Sequence, residues 1–579
     1  MALNVFAYTL ASSLFIYHAG AEGLPLSYIA IGLVSVPLYT GFSQVVDRYS
    51  HSRIFTYLLL GGILLVAVFR TAIESQLLLV YYAIYIGFYF QWRLHLDILL
   101  PSSISDYFTS REYNHYVTYL TMAQGVGGLL GGGLTMVLAN RFSSEDMLLV
   151  LPLLYGLVIA QLSYLESSEE PIEGSHLKAK SNSALVDNLK VLPLLRKRYP
   201  IIDFLITSII LWVILYSLAE FEYFRIYSQN FTTERELTHF LGLFRAVSDI
   251  LQLLLLYFVT RPGIKHLGVV GMNPIYPITT LLGFIALSLS GNLPVAIGLN
   301  FNNAAWETAI NQPIYTLNFN AIPASFVGRV RSLVDGLFYS LGLALAGVLL
   351  WICESFLGHS KTILLGTILA ALFWLVRHWV SQSYLKSLLA MLRAGSVRLN
   401  DVSEGLDRLP DNYAPQISQL LQSETRADRL LGLQLAARID RPSRFIIEIE
   451  RLPFEDETKL QVATIELLSS VKDIGISDYL RDRLKSPRET LQSIALASLL
   501  ASRKPISDDE LRPLLNASSE ELFALTCVAA ENAKSSDSVL QKACEKFWQS
   551  NIEDRTQQVL IRGISSTGNK KLIPRLHQI

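Results

Sequence analysis

Ionisable side chains inside long apolar runs are the residues best placed to do chemistry here, because a charge in hydrocarbon is costly and is kept for a partner, an ion or a solute. Arg93 and Asp97 stand four apart in one such run, with Gln91 and His95 beside them. Glu220, Glu222 and Arg225 share a second run, where their late position fits an outer interface as well as a pathway. Arg245 and Asp249 are again four apart in a third, and Glu307 lies in a fourth among Asn300, Asn302, Asn303 and Asn311. Residues four apart share a helix face, so each Arg–Asp pair reads either as a self-neutralising bridge or as one wall of a polar pathway. Glu307 has no opposite charge one turn away and is the strongest single candidate to meet a solute or a proton. The candidate pathway residues are therefore Arg93, His95, Asp97, Glu220, Glu222, Asn303, Glu307 and Asn311.

The elements that must hold these residues are apolar runs of about 18 to 25 residues, the length that crosses a hydrocarbon core of about 30 Å as a helix. The expected spans are 2–19, 25–46, 54–72, 76–100, 115–140, 147–165, 201–227, 237–260, 264–290, 293–322, 331–355 and 361–380. Two sets of six are separated by a charged stretch carrying Lys178, Lys180, Lys190, Arg196, Lys197 and Arg198, too polar to lie in lipid. The first run lacks a basic leader and is followed by further runs, so it reads as a first span and not a removed signal peptide. With Arg48, Arg53, Arg111, Arg261, Lys265, Arg329 and Arg331, the linker's six cations make thirteen on one set of loops, against Arg70, Arg141, Arg235 and Lys361 on the other. That excess predicts that both termini and the linker are cytoplasmic. The whole-chain hydropathy of +0.37 and net charge of −1 average over a charged C-terminal third and say little.

The halves match at corresponding loops, as expected of carriers built from repeats. Asp47-Arg48 and Arg53 follow the second run, and Arg261 to Gly268 follow the eighth; Asp106 to Arg111 follow the fourth, and Ile322 to Arg331 follow the tenth. This layout resembles the major facilitator superfamily, whose loop signature G-x-x-x-D-R-x-G-R-R is matched here by Asp47 and Arg48, with Ser43 and Ser50 in place of the glycines. Two stretches are similar to the nucleotide (ATP/ADP) translocase branch. One is DYFTSREYNHYVTYLTMAQGVGGLLGGGL from Asp106 to Leu134; the other holds Pro313, Tyr315, Asn320, Pro323, Gly328, Arg329, Arg331, Asp335 and Gly336. The resemblance implies a two-lobed carrier whose spans one, four, seven and ten line a central pathway. Asp47, Arg48, Arg111, Arg329, Arg331 and Asp335 then become gate candidates, with Asp335 accepting from a neighbouring guanidinium. Gly125, Gly127, Gly128, Gly131, Gly132 and Gly133 strip side chains from one helix, as close helix packing in membranes requires.

Polyphosphate recognition calls for a surplus of Lys and Arg. The span residues named above hold three Arg against five carboxylates, which argues against ATP/ADP exchange itself while leaving the fold unaffected. After about Gly395 a period near 31 residues aligns Ala427–Ala437, Thr458–Leu468, Thr490–Leu500 and Ser519–Ala529, with a weaker copy at Asp554–Ile564. The pattern resembles HEAT-type repeats, an α-solenoid that would bind a protein partner. No Ser/His/Asp set, phosphate-cradling glycine loop or Cys/His spacing stands out, and Cys353, Cys527 and Cys544 are far apart, so neither an enzyme, a cofactor, a metal nor a disulfide framework is expected. Lys570, Lys571 and Arg575 read as a solvated cap and not a nucleic-acid site.

The expected architecture is all-α: lobe 1–165, linker 166–200, lobe 201–380, amphipathic connection 381–400 and repeats 401–579. The expected function is alternating-access transport of a polar organic solute, nucleotides and related metabolites being the candidate class, in a bacterial or organellar inner membrane. A non-transporting receptor or scaffold is the alternative.

Overall fold

The computed structural model describes residues 1–46, 50–108, 110–169, 185–393, 414–437, 439, 442–452, 454, 458–470, 475–550 and 552–576, and among these the regular elements are helices. The chain divides into two compact units, Met1–Met391 and Leu392–Ile579.

Among the described residues of the first unit, twelve main helical rods follow one another. In order they are α1 (Ala2–Ala19), α2 (Leu24–Val46), α3 (His51–Ile73), α4 (beginning Leu78–Trp92), α5 (Ser110–Ala139) and α6 (from Ser144–Met147 to Leu151–Ser168). After a linker helix, Leu185–Arg198, come α7 (Ile201–Asn230), α8 (beginning Glu234–Leu255), α9 (Ile275–Leu289), α10 (beginning Leu293–Phe301), α11 (beginning Ala324–Arg331) and α12 (His359–Arg393). Among the described residues, eight helical stretches are long and apolar enough to cross a membrane. The rods that fall short are α9, which is brief, α1, whose apolar run is diluted by Asn4, Ser12, Ser13 and His18, and α4 and α10, whose runs are interrupted by amides and charges.

Several boundaries differ from expectation: Leu100–Tyr107 and Ala324–Arg331, expected in loops, are helical, and two further differences have a plain physical cause. The stretch after span eight was expected to be a loop, but Arg261–Met272 is helical and the chain turns at Gly268, whose φ of 65° only glycine adopts without strain. Pro262 lies inside the continuous helical stretch Glu234–Met272, directly after the wide turn Leu256–Thr260, which makes room for a ring that would clash in a regular helix. The last rod runs to Arg393 and not to 380, since Ser381 to Arg393 keep good helix formers after the apolar run has ended.

Two seams join the first six rods to the second six. On one, Gly132 of α5 faces Gly242 and Ala246 of α8 so closely that a methyl group on Gly132 would lie 2.7 Å from the Ala246 nitrogen and 2.8 Å from the Gly242 oxygen. On the other, a methyl on Gly32 of α2 would lie 2.6 Å from the Ala344 nitrogen of α11. Lipid supplies no hydrophobic drive between helices, so such backbone contact is where their packing energy comes from. The pairings α5 with α8 and α2 with α11 are one pattern repeated by the two halves.

In the second unit, Arg426–Ala436, Thr458–Ser470, Glu489–Ala501, Glu520–Ala533 and Asp554–Thr567 each pack on the next, and they contain the helices aligned above by period.

Candidate functional site

Four rods leave α-helical geometry in wide π turns. In α4 the turn is Arg93–Leu99, in α8 Leu256–Thr260 and in α10 Asn302–Asn311; α11 has two, Ser332–Phe338 and Cys353–Leu357. A π turn leaves a backbone carbonyl short of its usual partner and re-aims side chains, which is why such turns gather at functional sites. Here Thr260 Oγ1 donates to the Ala309 carbonyl at 2.7 Å, so one π segment serves another.

Three of these turns meet at a cavity of about 300 Å³. Arg93 and Asp97 reach it from α4, Glu307 and Asn311 from α10 and Asp335 from α11. Ser208, Ile209 and Trp212 of α7, Tyr339 of α11 and Phe373 and Arg377 of α12 complete its walls. Arg93 binds Asp97 at 2.5 Å and lies 4.5 Å from the centre of the Tyr339 ring, so this cation is already paired. Tyr315 donates to Asp335 at 2.5 Å.

The remaining charges are less well matched. Arg377 is 1% exposed; its Nη2 donates to Asn311 Oδ1, while Nε and Nη1 have no protein partner. Glu307 is 4% exposed; its Oε2 accepts from Gln312 at 3.2 Å and Thr308 at 3.3 Å, while Oε1 accepts from nothing in the protein. Each buried polar atom left so costs about 1–3 kcal/mol, a cost that a bound polar molecule removes.

The sequence-based candidates divide. Arg93, Asp97, Glu307, Asn311 and Asp335 come together at the cavity. His95 does not: its Nδ1 lies 3.1 Å from Asn4 Oδ1, which also accepts from Gln91 at 3.1 Å, in a network behind the cavity wall. Two residues from each of Arg93 and Asp97, His95 falls on the other side of the helix. Asn303 is tied to Tyr276 and to the Tyr216 carbonyl, 3.5 and 3.1 Å away. Glu222 meets His359 at 3.2 Å. Arg331 donates to the Thr316 carbonyl at 3.2 Å and covers Phe319, so its guanidinium is not the group bonded to Asp335, and Arg329 is exposed. Asp47, Arg48 and the Arg111 side chain lie outside the described residues. Arg377 and the aromatic wall were missed.

Glu220 belongs to a different layer. It accepts from Tyr28 of α2 at 2.6 Å, a bond between the two halves. Ser13 of α1 bonds Thr238 of α8, Ser144 lies 2.7 Å from the same Thr238, and His18 meets Glu234 at 3.5 Å. Successive rods alternate in direction, so positions along them give depth. The cavity residues occupy the first halves of α7 and α11, the later parts of α4 and α10 and the middle of α12, the half nearest the linker helix. Tyr28, Glu220, Ser13, Thr238 and Ser144 occupy the opposite half and close it with polar contacts.

The sequence itself supplies the context for this geometry. Residues 96–347 match the Major Facilitator Superfamily. That match begins within α4, ends within α11 and contains the α5–α8 seam, the α11 side of the other seam, and Asp97, Glu307, Asn311 and Asp335. With the apolar rods it makes the chain an integral, multi-pass membrane protein. No curated protein matches the sequence. Among solved structures, a crystal structure of a point mutant of the nucleoside transporter NupG overlies 67% of this chain and 98% of its own, at 13% identity and a TM-score of 0.44.

Proposed function

We propose that residues 1–393 form a twelve-span secondary transporter that moves a small polar organic solute by alternating access, with both termini and the linker cytoplasmic. The observation that carries this reading is a polar cavity built from both halves, with a hydrogen-bonded layer between the halves beyond it. Rocking about the α5–α8 and α2–α11 seams would open that layer and cover the cavity from the linker side. The positively charged loops give the orientation.

Two arginines face three carboxylates in the cavity, and Arg93 is already paired with Asp97. A nucleoside triphosphate would bring several negative charges to that surface, so ATP/ADP exchange is disfavoured. Trp212, Tyr315, Tyr339 and Phe373 offer flat apolar faces, which suits a compact solute with a ring or short carbon chain. Arg331, Arg329 and Asp335, with the linker helix packed on the first turns of α11, serve as the linker-side gate. The second unit is a helical repeat domain of HEAT-like type that docks a protein partner or regulates the carrier.

Reconstitution of the full chain into liposomes, followed by uptake from a mixed metabolite extract read by mass spectrometry, tests the reading. Accumulation of a polar solute that is lost in Arg377→Ala supports it. Liposomes that accumulate nothing beyond protein-free controls would reject it.

A further inference from the structure

Resting on that reading, we infer that the solute is net neutral and dipolar, with an anionic or strongly accepting group held by Arg377 and an ammonium or N–H donor held by Glu307. The walls of the cavity carry five charged groups, and three of them are already engaged: Arg93 with Asp97, and Asp335 with the Tyr315 hydroxyl. One cation and one carboxylate remain. They are also the two most buried charged residues of the wall, and each keeps polar atoms without a protein partner: Nε and Nη1 of Arg377, and Oε1 of Glu307.

Their placement sets them side by side without joining them. Arg377 docks on α10 through Asn311, four residues after Glu307, yet among the described ion pairs none joins the guanidinium to the Glu307 carboxylate, and Nε and Nη1 of the one and Oε1 of the other stay without a protein hydrogen-bond partner. A bridge between two such groups needs an acceptor at one end and a donor at the other. An α-amino acid meets that need with its carboxylate and ammonium, and a nucleobase or amide meets it with adjacent C=O and N–H. A polyanion satisfies Arg377 but places like charge against Glu307, and a simple cation does the reverse; like-charge apposition in a desolvated site is what makes such a pocket selective. Phe373, whose ring centre is 5.6 Å from the Arg377 guanidinium, leaves an apolar surface beside the bridge for the carbon part of the molecule.

Thermal-shift screening of the purified full chain in detergent against a metabolite library sorted by charge tests the inference. L-Glutamine and uridine represent the zwitterionic and neutral sources; ATP and choline represent the polyanion and the cation. Stabilising compounds should concentrate among net-neutral donor–acceptor molecules, and methylating the donor or esterifying the acceptor should weaken the best of them about tenfold or more. Glu307→Gln and Arg377→Gln should then shift the preference in opposite directions, the first towards anions and the second towards cations, which a merely structural role would not do. Should Arg377→Gln fail to fold, the shift towards anions in Glu307→Gln carries the comparison, and Arg377→Lys, which keeps the charge, should keep the preference for net-neutral compounds. Stabilisation by ATP or choline alone, an unchanged preference in the variants, or no stabilisation by any compound would overturn the inference. Binding of neutral dipolar compounds without uptake would leave it standing and defeat the carrier reading, whereas uptake of a polyanion would do the opposite.

Discussion

Tyr315 and Asp335 form the most specific pairing in the cavity wall, because the hydroxyl, and not the nearby Arg331, satisfies the carboxylate. Asp335→Asn and Tyr315→Phe should therefore each slow uptake about tenfold with expression little changed, and the double variant should be no worse than either alone, since partners in one hydrogen bond are not additive. Additive losses in reconstituted uptake would show that the two act separately. Glu307, Arg93 and Asp97 were legible in the sequence because a charge in an apolar run stands out against its surroundings. Arg377 is just such a charge, but it falls three residues before the point where the apolar run ends at 380, so it reads as a terminal residue. Helix formers carry α12 on to Arg393, which places Arg377 well inside the rod. Tyr315 was visible only as part of a motif, since a lone tyrosine gives no sign of its hydrogen-bond partner.

Glycine placement dominates at the level of the helix. Gly132→Ala must push α5 away from α8 and should lower the melting temperature and abolish most uptake, whereas Gly133→Ala, with nothing within 4 Å of the added methyl, should behave as the parent. Similar behaviour of the two variants would remove the seam from the account. The glycine cluster of α5 was readable as a packing surface, but Gly32 and Gly347, isolated in their runs, form the matching α2–α11 contact unannounced. The π turns were not readable, because hydrophobic periodicity near 3.6 does not distinguish a single wide turn. In the repeat unit, Glu489 accepts from the Ser518 and Ser519 backbone N–H groups at 2.8 Å and so caps the following helix of the ladder. Those bonds hold its carboxyl below the usual carboxylate range. A lowered folded value means that this stabilisation is full above the unfolded carboxylate value of about 4.3 and is lost as pH falls through the folded one. Glu489→Gln should accordingly speed amide exchange in Glu520–Ala533 at pH 7, with the difference from the parent shrinking under acid; a difference that persists at low pH would contradict the cap.

For the whole molecule, the charged linker and the matching loops suggested two halves, while the direction in which the cavity faces had no signal in the sequence, because it depends on contacts between residues more than 190 positions apart, such as Tyr28 with Glu220. Alternating access requires that layer to be a gate that opens when the cavity closes. Its most direct test uses cysteine-replaced full-length protein in oriented vesicles, with a membrane-impermeant thiol reagent applied to one face at a time. Reporters are Ser208→Cys in the cavity and Ser13→Cys in the opposite layer, each with and without Tyr28→Phe combined with Glu220→Gln. Breaking the bond should lower labelling at 208 from the linker face and raise labelling at 13 from the other face. Labelling at both positions that stays unchanged, or moves in the same direction, would contradict alternating access.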